Sequence, residues 1–204
     1  LKNNSRPWVP FVDVSALVTL TRHATNLGLG ADFAYGQPVY RLVNGSLAKT
    51  GFMELMPYIN YRLSHDFESA RIELSPRVGF YFQNFSVPQL PLSLIGHTAS
   101  GPILGLEGVL HPTPGLFFGL RAYYAPSLGI TESPFTAGSQ GSASLLKLDS
   151  SVGMQPFTWP VTVQAGVNYQ SLDTQYEAAG DFSGADTQVS QKLLGARLEV
   201  SIHL

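Results

Sequence analysis

The last stretch of the chain, Leu194-Gly195-Ala196-Arg197-Leu198-Glu199-Val200-Ser201-Ile202-His203-Leu204, alternates strictly. Its even positions are all apolar, and its odd positions hold Gly195, Arg197, Glu199, Ser201 and His203. A period of two is the signature of a β-strand, because successive side chains leave opposite faces of a sheet. In a soluble sandwich the apolar face would point into the core. In a transmembrane barrel the same alternation is inverted, with the apolar face toward lipid. The rest of the chain decides between the two.

Composition favours the inversion. The chain has 204 residues, which suits one domain. Charged residues make up 13%, against roughly 25% in soluble globular domains. So few charges would leave a water-facing surface poorly covered, whereas a lipid-facing belt has no such need. No apolar run approaches the roughly 20 residues a spanning helix requires. The net charge of −2 provides no basic footprint for nucleic acid. The absence of cysteine excludes disulfides and thiolate metal sites, and suits passage through an oxidising periplasm. Residue 1 is Leu, without an initiator Met or secretory signal ahead of it, so the chain reads as processed or trimmed.

The same alternation recurs along the chain. Apolar sets are Val12–Leu20, Leu27–Tyr35, Met53–Leu63, Ile72–Phe82, Leu104–Leu110, Phe118–Tyr124, Leu146–Met154 and Val161–Tyr169, each taken at every second position with Pro76, Gly108 and Ser150 left out. With the C-terminal stretch that makes about nine candidate strands, and no segment has a helical period. The links between them alternate in length. Arg22–Asn26, Ser64–Ala70, His111–Gly115 and Pro156–Pro160 are short; Gly36–Thr50, Asn84–Ser100, Ser127–Ala143 and Ser171–Gln188 are long. Asn44-Gly45 within the first long link is a strong two-residue turn signal, which suggests a hairpin extension there.

The charges fall on one face. Asp13, Asp32, Glu54, Arg62, Arg71, Glu73, Arg77, Glu107, Arg121, Lys147, Asp149, Arg197 and Glu199 all lie opposite the apolar sets, which carry none. Tyr35, Tyr61, Tyr124 and Tyr169 sit near the ends of apolar faces, where interfacial girdles lie in membrane barrels. Glycines such as Gly28, Gly30, Gly79, Gly105, Gly119, Gly166 and Gly195 share the charged face and would make room in a narrow lumen. Water-facing positions have little reason to be glycine, which weakens strands.

At this point the chain resembles the small outer-membrane β-barrel proteins of Gram-negative bacteria, in pattern over nearly its whole length. The resemblance implies an all-β, antiparallel transmembrane barrel of 8–10 strands in the outer membrane, with short periplasmic turns and long extracellular loops. Residues 1–10 would be a lead-in and 11–204 the barrel domain. It also implies contact with outer-membrane lipid and handling by the barrel-assembly machinery, whose signal the C-terminal strand resembles. That signal usually ends in an aromatic, and here Leu204 stands in its place. Such barrels normally have an even strand number and begin in the periplasm. With the short turns periplasmic, Phe11–Thr21 would instead run downward from outside. A further strand before Leu1, a return of Leu1–Pro10 through the lumen, or a misread first strand would each restore eight or ten.

Function is then a matter of lumen and loops. Eight strands enclose about enough space for their own side chains. Six cations and seven anions among the inward set should pair, because an unpaired buried charge is costly. This points to a charge-plugged barrel acting as a structural or interaction protein, an anchor or assembly subunit bound to other envelope proteins. The alternatives are a narrow ion or small-solute channel and a lipid-modifying hydrolase. For the latter, His97, Ser100 and Glu107 form a loose set, but their spacing departs from that of the lipid A deacylases, whose triad is Ser-His-Glu. No catalytic residue, cofactor or metal site is therefore expected: the five histidines are scattered, and no glycine-rich phosphate cradle is present. In the second long link, Phe85, Val87, Leu90, Leu92, Leu94 and Ile95 are unusually apolar, marking a contact patch for lipid or a partner.

Overall fold

The computed structural model describes residues 11–19, 26–37, 39–41, 47–87, 96–133, 141–155, 161–176 and 187–202. It is all-β. The strands are β1 (Phe11–Thr19), β2 (Leu27–Gly36), β3 (Val39–Arg41), β4 (Leu47–Lys49), β5 (Gly51–Tyr61), β6 (Leu63–Asp66), β7 (Arg71–Ser86), β8 (Gly96–Thr113), β9 (Leu116–Ser133), β10 (Gly141–Met154), β11 (Val161–Tyr176) and β12 (Thr187–Ile202). Nine of them form one antiparallel meander in the order β1-β2-β5-β7-β8-β9-β10-β11-β12. The short β6 resumes β5 after an interruption at Arg62 and pairs with β7. β3 and β4 form a separate two-stranded ribbon around residues 42–46, so the Asn44-Gly45 signal itself lies outside the described residues.

Among the described residues the nine candidate strands have their counterparts in this nine-strand meander, and Phe11–Thr19 is a full strand in register with Gly28–Gly36. Two expectations about the links are corrected. The short links are shorter than the polar residues suggest. Asp66 pairs with Arg71, and Thr113 with Leu116 around Pro114-Gly115, where Gly115 takes a φ of 87° that favours glycine. His65 and His111 are therefore strand residues and not turn residues. The long links lose much of their length too. Asn84–Ser86, Gly96–Ser100, Gly129–Ser133, Gly141–Ala143, Ser171–Tyr176 and Thr187–Gln188 are all paired backbone. Ser, Thr and Gly in these segments belong to paired wall, not to loop.

The sheet is strongly curled. Lys147 on β10 meets Glu54 on β5, and Tyr123 on β9 donates to Asp32 on β2 at 3.2 Å. In a flat sheet β2 and β9 would lie roughly 19 Å apart at about 4.8 Å per strand. The first and last strands approach to within 8 Å between Cα atoms, but no hydrogen-bonded ladder joins them among the described residues. Closure into a barrel is thus not part of the observed pairing.

The outer face is apolar over a band of limited height. Leu29, Ile59, Val78, Leu104 and Tyr124 are consecutive cross-strand partners, and all are exposed on the convex side. Val78 is 60% and Leu120 61% exposed. On β10 the run extends from Leu146 to Met154, which at ~3.3 Å per residue and ~40° tilt makes a band about 20–25 Å tall. Tyr35 and Tyr124 stand at its long-link margin, Tyr61 and Phe67 at the other.

Beyond the band, toward the long links, the polarity reverses. The exposed positions there are residues such as Ser86, Gly129, Thr131, Ser142, Asp173, Gln175, Gln188 and Ser190. Inside lie Ala99, Leu128, Ile130, Ala143, Leu145 and Leu172, a closed apolar cluster that also holds Met56 and Tyr81. On β9 a bulge accompanies this switch. Ala143 pairs with Leu128 but Leu145 with Ala125, so one extra residue of β9 turns its even positions from outward to inward.

Candidate functional site

The interior of the curl is the only place where charged residues converge among the described residues, and it is layered. Nearest the short links, Arg62 and Arg71 meet Glu73 at 3.6 and 3.0 Å, with Asp66 and His111 at 3.7 and 3.8 Å from Arg71 and Glu73. These groups are partly in water, so each pair contributes little.

The next layer is buried and centred on Arg77. Its guanidinium contacts Glu107 and the Tyr123 hydroxyl, lies 3.9 Å from Asp32, and stacks 4.4 Å above the Tyr58 ring. Glu107 in turn holds Arg121 at 3.0 Å. Register explains the arrangement: Glu107 is directly opposite Arg121 and Arg77 opposite Gly105, one diagonal step away. Glycine clears the space for the rings. A Cβ on Gly30 would stand 2.5 Å from Tyr58 Cζ, and one on Gly105 would stand 2.5 Å from Tyr123 Cδ1. Gly30 and Gly105 thus accommodate tyrosine rings, whereas Gly119, Gly166 and Gly195 lie against Ser151, Ser150 and Asn168. Asp32 Oδ1, Asn60 Oδ1 and Arg77 Nε are buried with no hydrogen-bond partner among the described residues.

Above it, Lys147 pairs with Glu54, to which Tyr81 also donates at 3.0 Å. Tyr81 and Gln83 share Gln170 from β11 at 3.0 and 3.4 Å. This polar belt abuts the apolar cluster, and Tyr81, which belongs to both, is completely buried.

Of the thirteen charges singled out from the sequence, ten have described side chains. Asp32, Glu54, Arg77, Lys147 and Asp149 are buried, Glu107, Arg121, Glu73 and Arg62 partly so, and Arg71 is exposed. The backbones of Asp13, Arg197 and Glu199 pair with Ala34, Gly166 and Gln164; their side chains lie outside the described residues. Glu54 takes its cation, Lys147, from across the interior and not from its neighbour strand β7, which supplies the Tyr81 hydroxyl instead. The alternation placed Tyr58, Tyr81, Tyr123, Gln83 and Gln170 on the inward face, but nothing local marked them as partners of these charges.

Two other expectations change. Phe85 belongs to β7 and is buried against Ala34 and Phe52, with Val87 packed on the same group, so neither is a free surface contact. Leu90, Leu92, Leu94 and Ile95 lie outside the described residues. His97 and Ser100 sit on β8, not in a loop. His97 is buried inward beside Gln83 and Phe85, while Ser100 has the opposite parity. Glu107 is ten positions from His97, roughly 33 Å along an extended strand, so the three do not assemble a triad. Among the described residues no three His, Asp or Glu side chains group as metal ligands, and no helix is long and apolar enough to cross a membrane.

Fold and interior together define an all-β protein, built mainly on one curled antiparallel sheet with a cluster of charges inside and much apolar surface outside. Comparison with protein-family models, curated proteins and solved structures found no match to this chain.

Proposed function

We propose that the chain is a membrane-spanning β-barrel of a bacterial outer membrane, with a sealed interior, serving as an anchor or assembly subunit. One observation carries this reading: the inversion of polarity is confined to a band about as tall as the roughly 25 Å apolar zone of known membrane barrels. A soluble protein has no reason to expose Leu29, Ile59, Val78, Leu104 and Leu120 in a continuous belt and then return to polar-out, apolar-in packing just above it. Lipid on one side of the wall, and water above the band, account for both halves.

The anchor reading is favoured over a channel by the apolar cluster. Leu128, Leu145 and Leu172, all essentially unexposed, join one apolar cluster above the charged layers, which supports a sealed interior over a water-filled one. The projecting wall, roughly 15 Å of β8 and β9 beyond the band, then offers a rigid polar surface for other envelope components. Two measurements test this together. The purified protein requires detergent or lipid to stay monodisperse, and in planar bilayers it is electrically silent. Monodispersity in plain buffer refutes the membrane assignment; steady unitary conductance refutes the seal and favours the channel.

A further inference from the structure

We infer that the sheet closes by direct parallel pairing of its first and last strands, giving a barrel with an odd number of strands. The inference rests on the membrane reading above. Each of the nine strands runs antiparallel to its neighbours, so the first and ninth, β1 and β12, run in the same direction. Neither has a second neighbour among the described residues. In hydrocarbon, an open edge would leave a row of N–H and C=O groups with no partner, and such edges are not found there. The edges must therefore be satisfied, by each other or by something inserted between them.

Spacing decides between these. Adjacent strands lie about 4.8 Å apart, so one intervening strand would hold its neighbours about 9.6 Å apart. The Cα atoms of β1 and β12 already come within 8 Å of each other. Where they do so, the gap is too narrow for a tenth strand and wide enough for a ladder that is not fully drawn together. The cross-curl bonds from Glu54 to Lys147 and from Asp32 to Tyr123 hold the two halves of the sheet in this rolled form without help from the seam. Parallel ladders have evenly spaced, slanted bonds and are slightly weaker per residue than antiparallel ones. The seam is then the weakest ladder of the wall.

Disulfide trapping tests this in vesicles, and the chain has no cysteine of its own to interfere. Val14→Cys, paired with the exposed Phe33 on β2, is combined in turn with Leu194→Cys, Ala196→Cys, Leu198→Cys and Val200→Cys on β12. Val163→Cys with Val200→Cys, a known pair, sets the yield of a true neighbour. One partner of Val14→Cys is expected to form an intramolecular bond in at least half that yield. Replacing Val14→Cys by Ala16→Cys is expected to move the preferred partner two residues forward, which is the parallel signature. If the inserted protein gives no monomeric cross-link in any register, or gives only dimers, the seam is filled by another segment or copy and the inference falls. If the chain does not sediment with the vesicles at all, the membrane reading falls first and takes the inference with it.

Discussion

Breaking the Lys147–Glu54 pair probes the interior most sharply. Both side chains are almost wholly buried, at 9% and 2% exposure, and they join β10 to β5 across the curl. Removing one member of a buried ion pair costs about 3–5 kcal/mol, because the other charge stays desolvated. Lys147→Met should fall at the low end, about 3 kcal/mol, since Glu54 keeps the hydroxyl of Tyr81 at 3.0 Å. Glu54→Leu should cost about 4 kcal/mol, because the same change also takes the acceptor from Tyr81. The double variant should cost less than the sum by at least about 2 kcal/mol, the coupling of contacting residues. Urea unfolding of protein folded into lipid vesicles reads this directly. With a slope of about 2 kcal/mol per molar, the single variants shift the midpoint down by about 1.5–2 M. Single costs below about 1 kcal/mol that add independently would mean a water-filled interior in which these charges are screened, and the sealed-plug argument would fail.

Three further outcomes follow from the same geometry. Leu106→Arg, exposed at the centre of the outer run of β8, should destabilise the vesicle-folded protein by about 2–4 kcal/mol, as charges at the bilayer midplane do; a neutral effect would place that face in water. Gly30→Ala, whose new Cβ would meet the Tyr58 ring at 2.5 Å, should cost about 1–3 kcal/mol by overpacking. Most of that cost should vanish in a Tyr58→Ala background, as a double-mutant cycle will show. Enlarging the interior with Leu128→Gly, Leu145→Gly and Leu172→Gly together should turn a silent barrel into one with measurable bilayer conductance, because these side chains make up much of the apolar seal; continued silence would locate the seal elsewhere.

The strands were legible because a period of two is a local property. Ile72, Leu74, Val78, Phe80 and Phe82 declare β7 without reference to anything distant, and the charged positions opposite them point inward for the same reason. The partners were not legible, because they depend on curl and stagger. Lys147 and Glu54 are 93 positions apart, and Tyr123 and Asp32 are 91 apart. The apolar plug was hidden by the β9 bulge. Phe118 and Leu120 face out while Leu128 and Ile130, with the same parity, face in. The adjacent Leu145-Leu146 was the local hint, since two consecutive leucines on a half-buried strand must serve both faces. Loop lengths were overread because Ser, Gly and Thr serve a paired wall as readily as a loop.

The central claim is that one face of this sheet meets hydrocarbon over a fixed height and water beyond it. A nitroxide scan along β10, from Ser142 to Met154, tests it by collision with oxygen, which concentrates in lipid, and with a water-soluble nickel chelate. Labels replacing Leu146, Leu148, Val152 and Met154 should meet oxygen and exclude nickel, those replacing Ala143 and Leu145 should be shielded from both, and one replacing Ser142 should meet nickel. Nickel access at Leu146, Leu148 and Val152 equal to that at Ser142 would contradict the account.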